Sequence, residues 1–136
     1  MTVVVGYLAT PEGREGLSSA VVEARRRGTD LIVVVSEKAR PAPAEVLEQR
    51  EADFLSVRES AAASDVAIEI RVLDERHDVS EDLIAVAEEV AADVIVIGLR
   101  RRSPVGKLIL GSNAQRILLE SPCPVLAVKP ERQLQT

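Results

Sequence analysis

The sequence has almost no aromatic residues. Tyr7 and Phe54 are the only two among 136 residues, and there is no tryptophan. Proteins that bind nucleic acid need a basic face for the phosphates, and many also stack bases on aromatic rings. The formal net charge of −5 at pH 7 has the opposite sign to such a face. We therefore expect no nucleic-acid partner, and a core built from aliphatic side chains.

Cysteine and histidine are equally scarce, because Cys123 and His77 are the only examples. A single cysteine excludes an internal disulfide and a cysteine-rich metal site. His77 follows the charged residues Asp74, Glu75 and Arg76, which favours a solvated loop residue over a general base. No serine lies in a GxSxG context, and no Walker-type phosphate-binding motif is present. We predict no catalytic residues and no metal site, and hence a protein that is not an enzyme.

Long apolar runs are also absent. Met1 leads directly into Val3, Val4 and Val5, without a basic segment followed by a long hydrophobic stretch. Signal peptides and membrane-spanning helices both require such a stretch. We expect a cytoplasmic protein that has no membrane partner.

The apolar residues that are present fall into five short β-branched runs that alternate with four helical patterns. The runs are Thr2–Leu8, Leu31–Val35, Val66–Leu73, Val94–Ile97 and Val125–Val128. Strands that alternate with helices indicate parallel pairing with right-handed crossovers. We predict an α/β fold, an open, doubly wound, five-stranded parallel sheet of the Rossmann-like type. Residues 1–130 form one domain and residues 131–136 a tail.

Helix boundaries are marked by residues with specific capping roles. Thr10 is a candidate N-cap, and Pro11 suits the first helical position after it. Gly28 is placed to end the same helix in the left-handed conformation. Asp78 and Glu81 have the spacing of a capping box, which predicts the start of the third helix.

The stretch from Gly98 to Ser112 has the layout of an anion-binding loop. It follows a buried strand, and it leads into a helix whose first N–H groups have no intrahelical partner. Gly98 and Gly111 let backbone approach a ligand, and Ser112 can cap the helix or donate its hydroxyl. Four cations lie within it: Arg100, Arg101, Arg102 and Lys107. Two alternatives stay open, since glycines also form turns and arginines also form solvated surfaces.

The predicted topology gives a second, independent argument for a ligand at this place. In doubly wound sheets, ligands bind beyond the carboxyl ends of the strands, at the point where the strand order reverses. The loops after the first and fourth strands, Ala9–Pro11 and Leu99–Gly111, are expected to meet there.

These motifs resemble the universal stress protein family, in its single-domain bacterial type. The segment VIVIGLRRRSPVGKLILGSNAQRILLESPCPVLAVKP, from Val94 to Pro130, is similar to the closing pattern of that family. The family signature G-x2-G-x9-G-[ST] is matched at Gly98, Gly111 and Ser112, whereas Arg101 replaces the second glycine. The resemblance implies a regulatory module of the stress response that binds an adenine nucleotide such as ATP.

Two positions depart from the family pattern. Leu8 stands where nucleotide-binding members carry an aspartate beside the adenosine, so it offers only backbone groups and apolar contact. Arg101 disfavours the left-handed backbone that a glycine allows, yet its guanidinium could clamp a phosphate in a bidentate manner. The loop therefore either holds an anion through side chains or has lost the nucleotide.

Carried over by position, the resemblance implies a nucleotide site whose ligand is ATP or a related adenine nucleotide, with or without Mg²⁺. The site residues are Gly6, Leu8, Val35, Ile97, Gly98, Arg101, Gly111, Ser112 and Asn113. Val35 and Ile97 also fit simple core positions. Whether the segment Ser36–Pro43 covers this site is left open by the sequence.

The final strand, Val125–Val128, is short and apolar, and Pro124 before it is tolerated only at a sheet edge. The resemblance implies a homodimer formed by antiparallel pairing of this strand. The alternative function is a dimeric interaction scaffold of the same family that binds no nucleotide, with the arginine loop facing an acidic protein partner. An enzyme, such as an ATPase or a relative of the electron-transfer flavoproteins, is the third hypothesis.

Overall fold

The computed structural model describes residues 1–37, 42–74, 78–99 and 110–129. The side chain of Asp74 is not described. His77, Arg101, the other loop cations, the predicted tail and part of the Ser36–Pro43 segment lie outside these residues.

Five strands and four helices alternate strictly along the chain, as the sequence predicts. In chain order they are β1 (Thr2–Gly6), α1 (Pro11–Arg27), β2 (Asp30–Glu37), α2 (Ala44–Ala63), β3 (Ile68–Asp74), α3 (Val79–Glu89), β4 (Val94–Gly98), α4 (Ser112–Glu120) and β5 (Val125–Val128). The predicted bounds are close to these, although β3 begins at Ile68 and not at Val66. β2 continues two residues beyond Val35.

The sheet is parallel throughout, with the strand order β3-β2-β1-β4-β5. β1 lies at the centre, where Val5 pairs with Val33 on one side and with Val96 on the other. β3 pairs only with β2 and lies at the edge of the sheet, which fits the way Glu69 and Arg71 interrupt its apolar residues, a pattern that indicates an edge or half-exposed strand. The fold is therefore the predicted open, doubly wound α/β sheet.

Helices cover both faces of the sheet and bury two aliphatic clusters. The first cluster holds the β1 side chains of Val3 and Val5 under α1 and α2. The second holds Val4 of the same strand under α3 and α4. Successive side chains of a strand point to opposite faces, so one continuous apolar run can fill both clusters.

The helix caps follow the sequence predictions in one helix and depart from them in two. The Thr10 hydroxyl accepts from the Gly13 N–H at 3.1 Å, and Gly28 ends α1 with a left-handed φ of 64°. The predicted capping box of α3 is wrong, since the Asp78 side chain makes no capping hydrogen bond. The residue that caps α4 is Gly111, and Ser112 is the first residue of the helix.

None of the helices in the described ranges has both the length and the apolar composition needed to span a membrane.

Candidate functional site

The strand order reverses between β1 and β4. The chain leaves β1 towards β2 on one side, and β4 joins the sheet on the other side of β1. The carboxyl ends of these two strands are neighbours, because Val5 pairs with Val96. Val5 lies one residue before the end of β1, and Val96 lies two residues before the end of β4. A crevice for a ligand is expected at this position in a doubly wound sheet.

All four helices follow the carboxyl ends of parallel strands, and α1, α3 and α4 differ in how their first turns are capped. α1 is capped by Thr10. Neither Gly111 before α4 nor Asp78 before α3 supplies a side-chain cap. The starts of α3 and α4 thus keep backbone N–H groups beside the partial positive charge of a helix N-terminus.

Gly98 at the end of β4 is explained by packing. A Cβ on Gly98 would overlap the backbone carbonyl oxygen of Glu12 in the first turn of α1. A Cβ on Gly16, one turn further along α1, would lie 3.4 Å from the Gly98 nitrogen. Helix α1 therefore crosses the end of β4 at close range, and it closes that side of the crevice.

Gly111 differs from Gly98, because a Cβ there would meet no heavy atom of the described residues within 4 Å. Its φ of −69° is open to any residue. Ser112 and Asn113, which follow it at the start of α4, are both exposed. The start of α4 is thus the open part of the predicted site.

The remaining predicted residues form a buried floor. Gly6 allows α3 to approach β1, since a Cβ there would lie 2.8 Å from Cδ1 of Leu83. Val35 and Ile97 are buried in opposite clusters, so their side chains are not brought together, and only backbone atoms of both could face one ligand. The Leu8 side chain is 48% exposed at the rim. Arg101 lies outside the described residues.

An arginine that the sequence analysis did not single out links the starts of α3 and α4. Arg116 donates to Glu120 at 2.7 Å and to Glu81 at 2.8 Å, and it lies 3.5 Å from Asp78. The hydrogen bond to Glu120, followed by the one to Glu81, raises the pKa of the Arg116 guanidinium above its ordinary value. The spacing from Arg116 to Glu120 is visible in the sequence, but the pairing with α3 requires the fold.

A buried polar pair lies where β2 meets the start of α3. The Ser36 hydroxyl donates to Oδ2 of Asp82 at 2.7 Å, and Asp82 is only 6% exposed. Ser80, two residues earlier, is fully buried, and its Oγ has no hydrogen-bond partner within the described part of the chain. Buried hydroxyls are normally paired, so this one requires an explanation.

A second polar cluster lies on the opposite face of the sheet. The Tyr7 hydroxyl donates to Oδ2 of Asp53 at 2.7 Å, and Gln49 donates to Oδ1 at 2.9 Å. Arg14 lies 3.8 Å from the same carboxylate, across a cavity of about 70 Å³ between α1 and α2. Burial, followed by the hydrogen bond to Asp53, raises the pKa of Tyr7.

Within the described part of the chain, no three His, Cys, Asp or Glu side chains are placed to hold a metal ion. Cys123 is half-buried beside Ser121, whose hydroxyl donates to the Cys123 carbonyl at 2.6 Å. The described residues do not assemble a nucleophile with a base.

The fold and the edge geometry define a doubly wound α/β domain with an open helix N-terminus at its switch point. A family model described as the universal stress protein family matches residues 1–129. The chain belongs to the universal stress protein family.

Curated relatives carry the same family name. A universal stress protein of Mycolicibacterium smegmatis is 43% identical over 128 residues, which cover 94% of this chain and 97% of the relative. A universal stress protein of Mycobacterium tuberculosis is 34% identical over 97% of this chain, but the match covers only 49% of that longer protein. The chain thus spans one whole relative and about half of the other.

Solved structures of the family have the same fold. A universal stress protein from Archaeoglobus fulgidus is 30% identical, with a TM-score of 0.75 over 95% of this chain and 98% of that one. A universal stress protein from the same organism, solved in complex with dAMP, is 25% identical, with a TM-score of 0.71 over the same shares of the two chains.

Proposed function

We propose that this chain is a regulatory module of the stress response that binds an adenine nucleotide at the carboxyl edge of β1 and β4. The ligand phosphates would lie at the start of α4, near Gly111, Ser112 and Asn113. The backbone at Gly6, Val35 and Ile97 would form the floor beneath the nucleoside.

The observation that carries this proposal is the open start of α4. No side chain caps the helix, its first turn contains no acidic residue, and Ser112 and Asn113 are exposed. A helix N-terminus of this kind favours phosphate through its free N–H groups and its dipole. The dAMP complex of the related Archaeoglobus protein supports an adenine nucleotide as the ligand.

The absence of an aspartate at position 8 defines how the ligand would be held. Leu8 supplies apolar contact at the rim, so polar contacts to the nucleoside must come from elsewhere in the site. Arg101 would add charge on the phosphate side, and Mg²⁺ would accompany a triphosphate as its counter-ion. Since the described residues bring no nucleophile and base together, we propose that the module acts by binding and by contacting partners.

Exchange of Gly111 for alanine tests the proposal. An added methyl group meets no atom of the described residues within 4 Å, so Gly111→Ala should fold like the wild type. It would project where the backbone approaches the phosphate, and we expect it to abolish the thermal stabilisation by ATP, ADP or AMP. Ser112→Ala should weaken it. A ligand present at about a hundred times its Kd stabilises the folded state by about 2.7 kcal/mol.

Gly28→Ala is the matched control. Gly28 has a left-handed φ of 64° far from the crevice, so this change should lower stability and leave nucleotide binding unchanged. Inorganic phosphate, titrated alone, separates a simple anion site from a nucleotide site. Wild-type affinity in both Gly111→Ala and Ser112→Ala would overturn the assignment.

The alternative function is a dimeric interaction scaffold that binds no nucleotide. The observation that favours it is an apolar groove between α1 and the edge strand β5, with a volume of about 390 Å³ and lined by Val22 and Leu126. A protein that shows no thermal shift with any adenine nucleotide, yet loses its second copy when this groove is changed, would fit the scaffold.

A further inference from the structure

We propose that Ser80 is a binding residue for the ribose of the nucleotide, and that it supplies a polar contact that Leu8 cannot make. This inference rests on the proposed function and goes beyond it, because it names a residue of α3 and the ligand group that this residue contacts.

The first observation is the condition of the Ser80 hydroxyl. Ser80 is fully buried, and its Oγ has no hydrogen-bond partner among the residues that the structure describes. Protein atoms cover the hydroxyl in the ligand-free protein, so it bears the free-energy cost of desolvation without a compensating bond, and a ribose would reach it only when the starts of α3 and α4 move apart. Ser36, at the same edge of the sheet, is fully satisfied by Asp82 at 2.7 Å.

Three contacts of its neighbours define where Ser80 points. Leu83 faces β1, against Gly6. Asp82 faces β2 through Ser36, and Glu81 faces α4 through Arg116 at 2.8 Å. Each residue of a helix is rotated by about 100° from the one before.

This rotation places Ser80 between the directions of Leu83 and Glu81, and away from Asp82. It therefore lies on the flank of α3 that faces α4, close to the sheet. It also lies about 4.5 Å nearer the helix start than Leu83, at the level where β1 ends. The Ser80 side chain thus lies on the flank of α3 that borders the wedge between the starts of α3 and α4, near the switch point.

The charges at the starts of α3 and α4 then decide which part of a nucleotide the Ser80 hydroxyl contacts. The first turn of α3 contains Glu81 and Asp82, whereas the first turn of α4 contains no acidic residue. The phosphates are therefore favoured at α4 and disfavoured at α3. The neutral sugar is attached directly to the phosphates. With the phosphates at the start of α4, the sugar is therefore the part of the nucleotide that reaches α3, and it enters from the open edge at Gly111. A serine hydroxyl can both donate to and accept from a sugar hydroxyl.

The test compares Ser80→Ala with the wild type in titrations with ATP, 2′-deoxyATP and 3′-deoxyATP. We expect the wild type to prefer ATP over at least one deoxy analogue by roughly threefold to tenfold, as one neutral hydrogen bond allows. In Ser80→Ala this preference should vanish through weaker ATP binding. The melting temperature without ligand should stay equal or rise, because an unpaired buried hydroxyl has been removed.

Ser36→Ala is the matched control from the opposite flank of α3. It removes a hydroxyl that is paired with Asp82, so it should lower the melting temperature and keep the wild-type preference among the three nucleotides. Ser80→Ala is thus expected to change ligand choice without lowering stability. Ser36→Ala is expected to lower stability and to leave ligand choice unchanged.

The outcomes separate this inference from the proposed function. If the wild type binds no adenine nucleotide, both are wrong. If Gly111→Ala abolishes ATP binding while Ser80→Ala retains the wild-type preference, or weakens all three nucleotides equally, the site stands and the role of Ser80 is wrong.

Discussion

Tyr7 and Asp53 show how one buried hydrogen bond can couple stability to pH. The neutral phenol donates to the carboxylate at 2.7 Å, and burial and this bond both raise the Tyr7 pKa above its ordinary 10.0. Below pH 10 the phenol keeps its proton in the folded and unfolded states alike. Above pH 10 the unfolded chain loses the proton first, so the free energy of unfolding should fall as pH rises towards the raised pKa.

The measurement is simple because Tyr7 is the only tyrosine and there is no tryptophan. Tyrosinate absorbance should appear together with alkaline unfolding, and not at about pH 10 in the folded protein. Asp53→Asn removes the charge and should bring the Tyr7 pKa closer to 10, whereas Tyr7→Phe should lower the free energy of unfolding by about 1–3 kcal/mol. Free titration of Tyr7 near pH 10 in the native state would contradict this account.

At the residue scale, sequence reasoning worked where the cause is local. Thr10 and Gly28 act on their own helix, so their roles could be predicted from neighbours in the chain. Asp53 and Ser80 gave no such signal, because their burial depends on strands and helices distant in the sequence. The capping box at Asp78 failed for the same reason, since Arg116 of another helix lies 3.5 Å from its carboxylate.

At the scale of elements, the contact between α1 and β4 requires a glycine for space. A methyl group on Gly98 would overlap the carbonyl oxygen of Glu12, and helix backbone cannot yield as a flexible side chain can. We expect Gly98→Ala to lower the free energy of unfolding by about 3 kcal/mol. For a domain of this size, that corresponds to a fall of roughly 10 °C in the melting temperature.

Gly111→Ala serves as the paired measurement, since the same methyl group there meets open space. Equal melting temperatures for the two variants would show that α1 does not approach β4 as closely as described. The sequence motif predicted the same role for Gly98 and Gly111, namely close approach of a ligand to the backbone. The two variants separate a packing role at Gly98 from a ligand-binding role at Gly111.

The elements themselves could be predicted because alternating strand and helix patterns allow few topologies. The continuous apolar run of β2 indicated burial on both faces, and the charges of Glu69 and Arg71 indicated the edge position of β3. Which faces meet which helices could not be predicted. The family resemblance assigned Val35 and Ile97 to one site, but pleating directs their side chains to opposite sides of the sheet.

At the scale of the whole molecule, the exposed edge of β5 is the feature that favours pairing with another protein chain. β5 is the outer strand of the sheet, and Leu126 at its centre is 38% exposed. An apolar edge strand is a template for pairing with another chain. A second copy of this chain can supply the same strand in antiparallel orientation about a two-fold axis.

Strand pairing alone is too small to hold such a dimer. A stable interface buries about 800 Å² per partner and involves roughly 20–30 residues a side, far more than four. The groove beside β5 supplies additional surface, since Val22 of α1 is 48% exposed and Glu23 and Arg26 flank it. We therefore propose a homodimer whose interface includes both β5 and the adjoining face of α1.

Leu126→Lys tests this arrangement by placing a charge at the centre of the edge strand. At micromolar concentration, light scattering after size exclusion should give twice the 14.7 kDa chain mass for the wild type and a single chain mass for the variant. Leu55→Lys, on the 61% exposed surface of α2, should stay dimeric. A wild type that elutes as a monomer would contradict the proposed homodimer. A dimeric Leu126→Lys would move the interface away from β5, and the groove beside α1 would then remain available for a different protein partner.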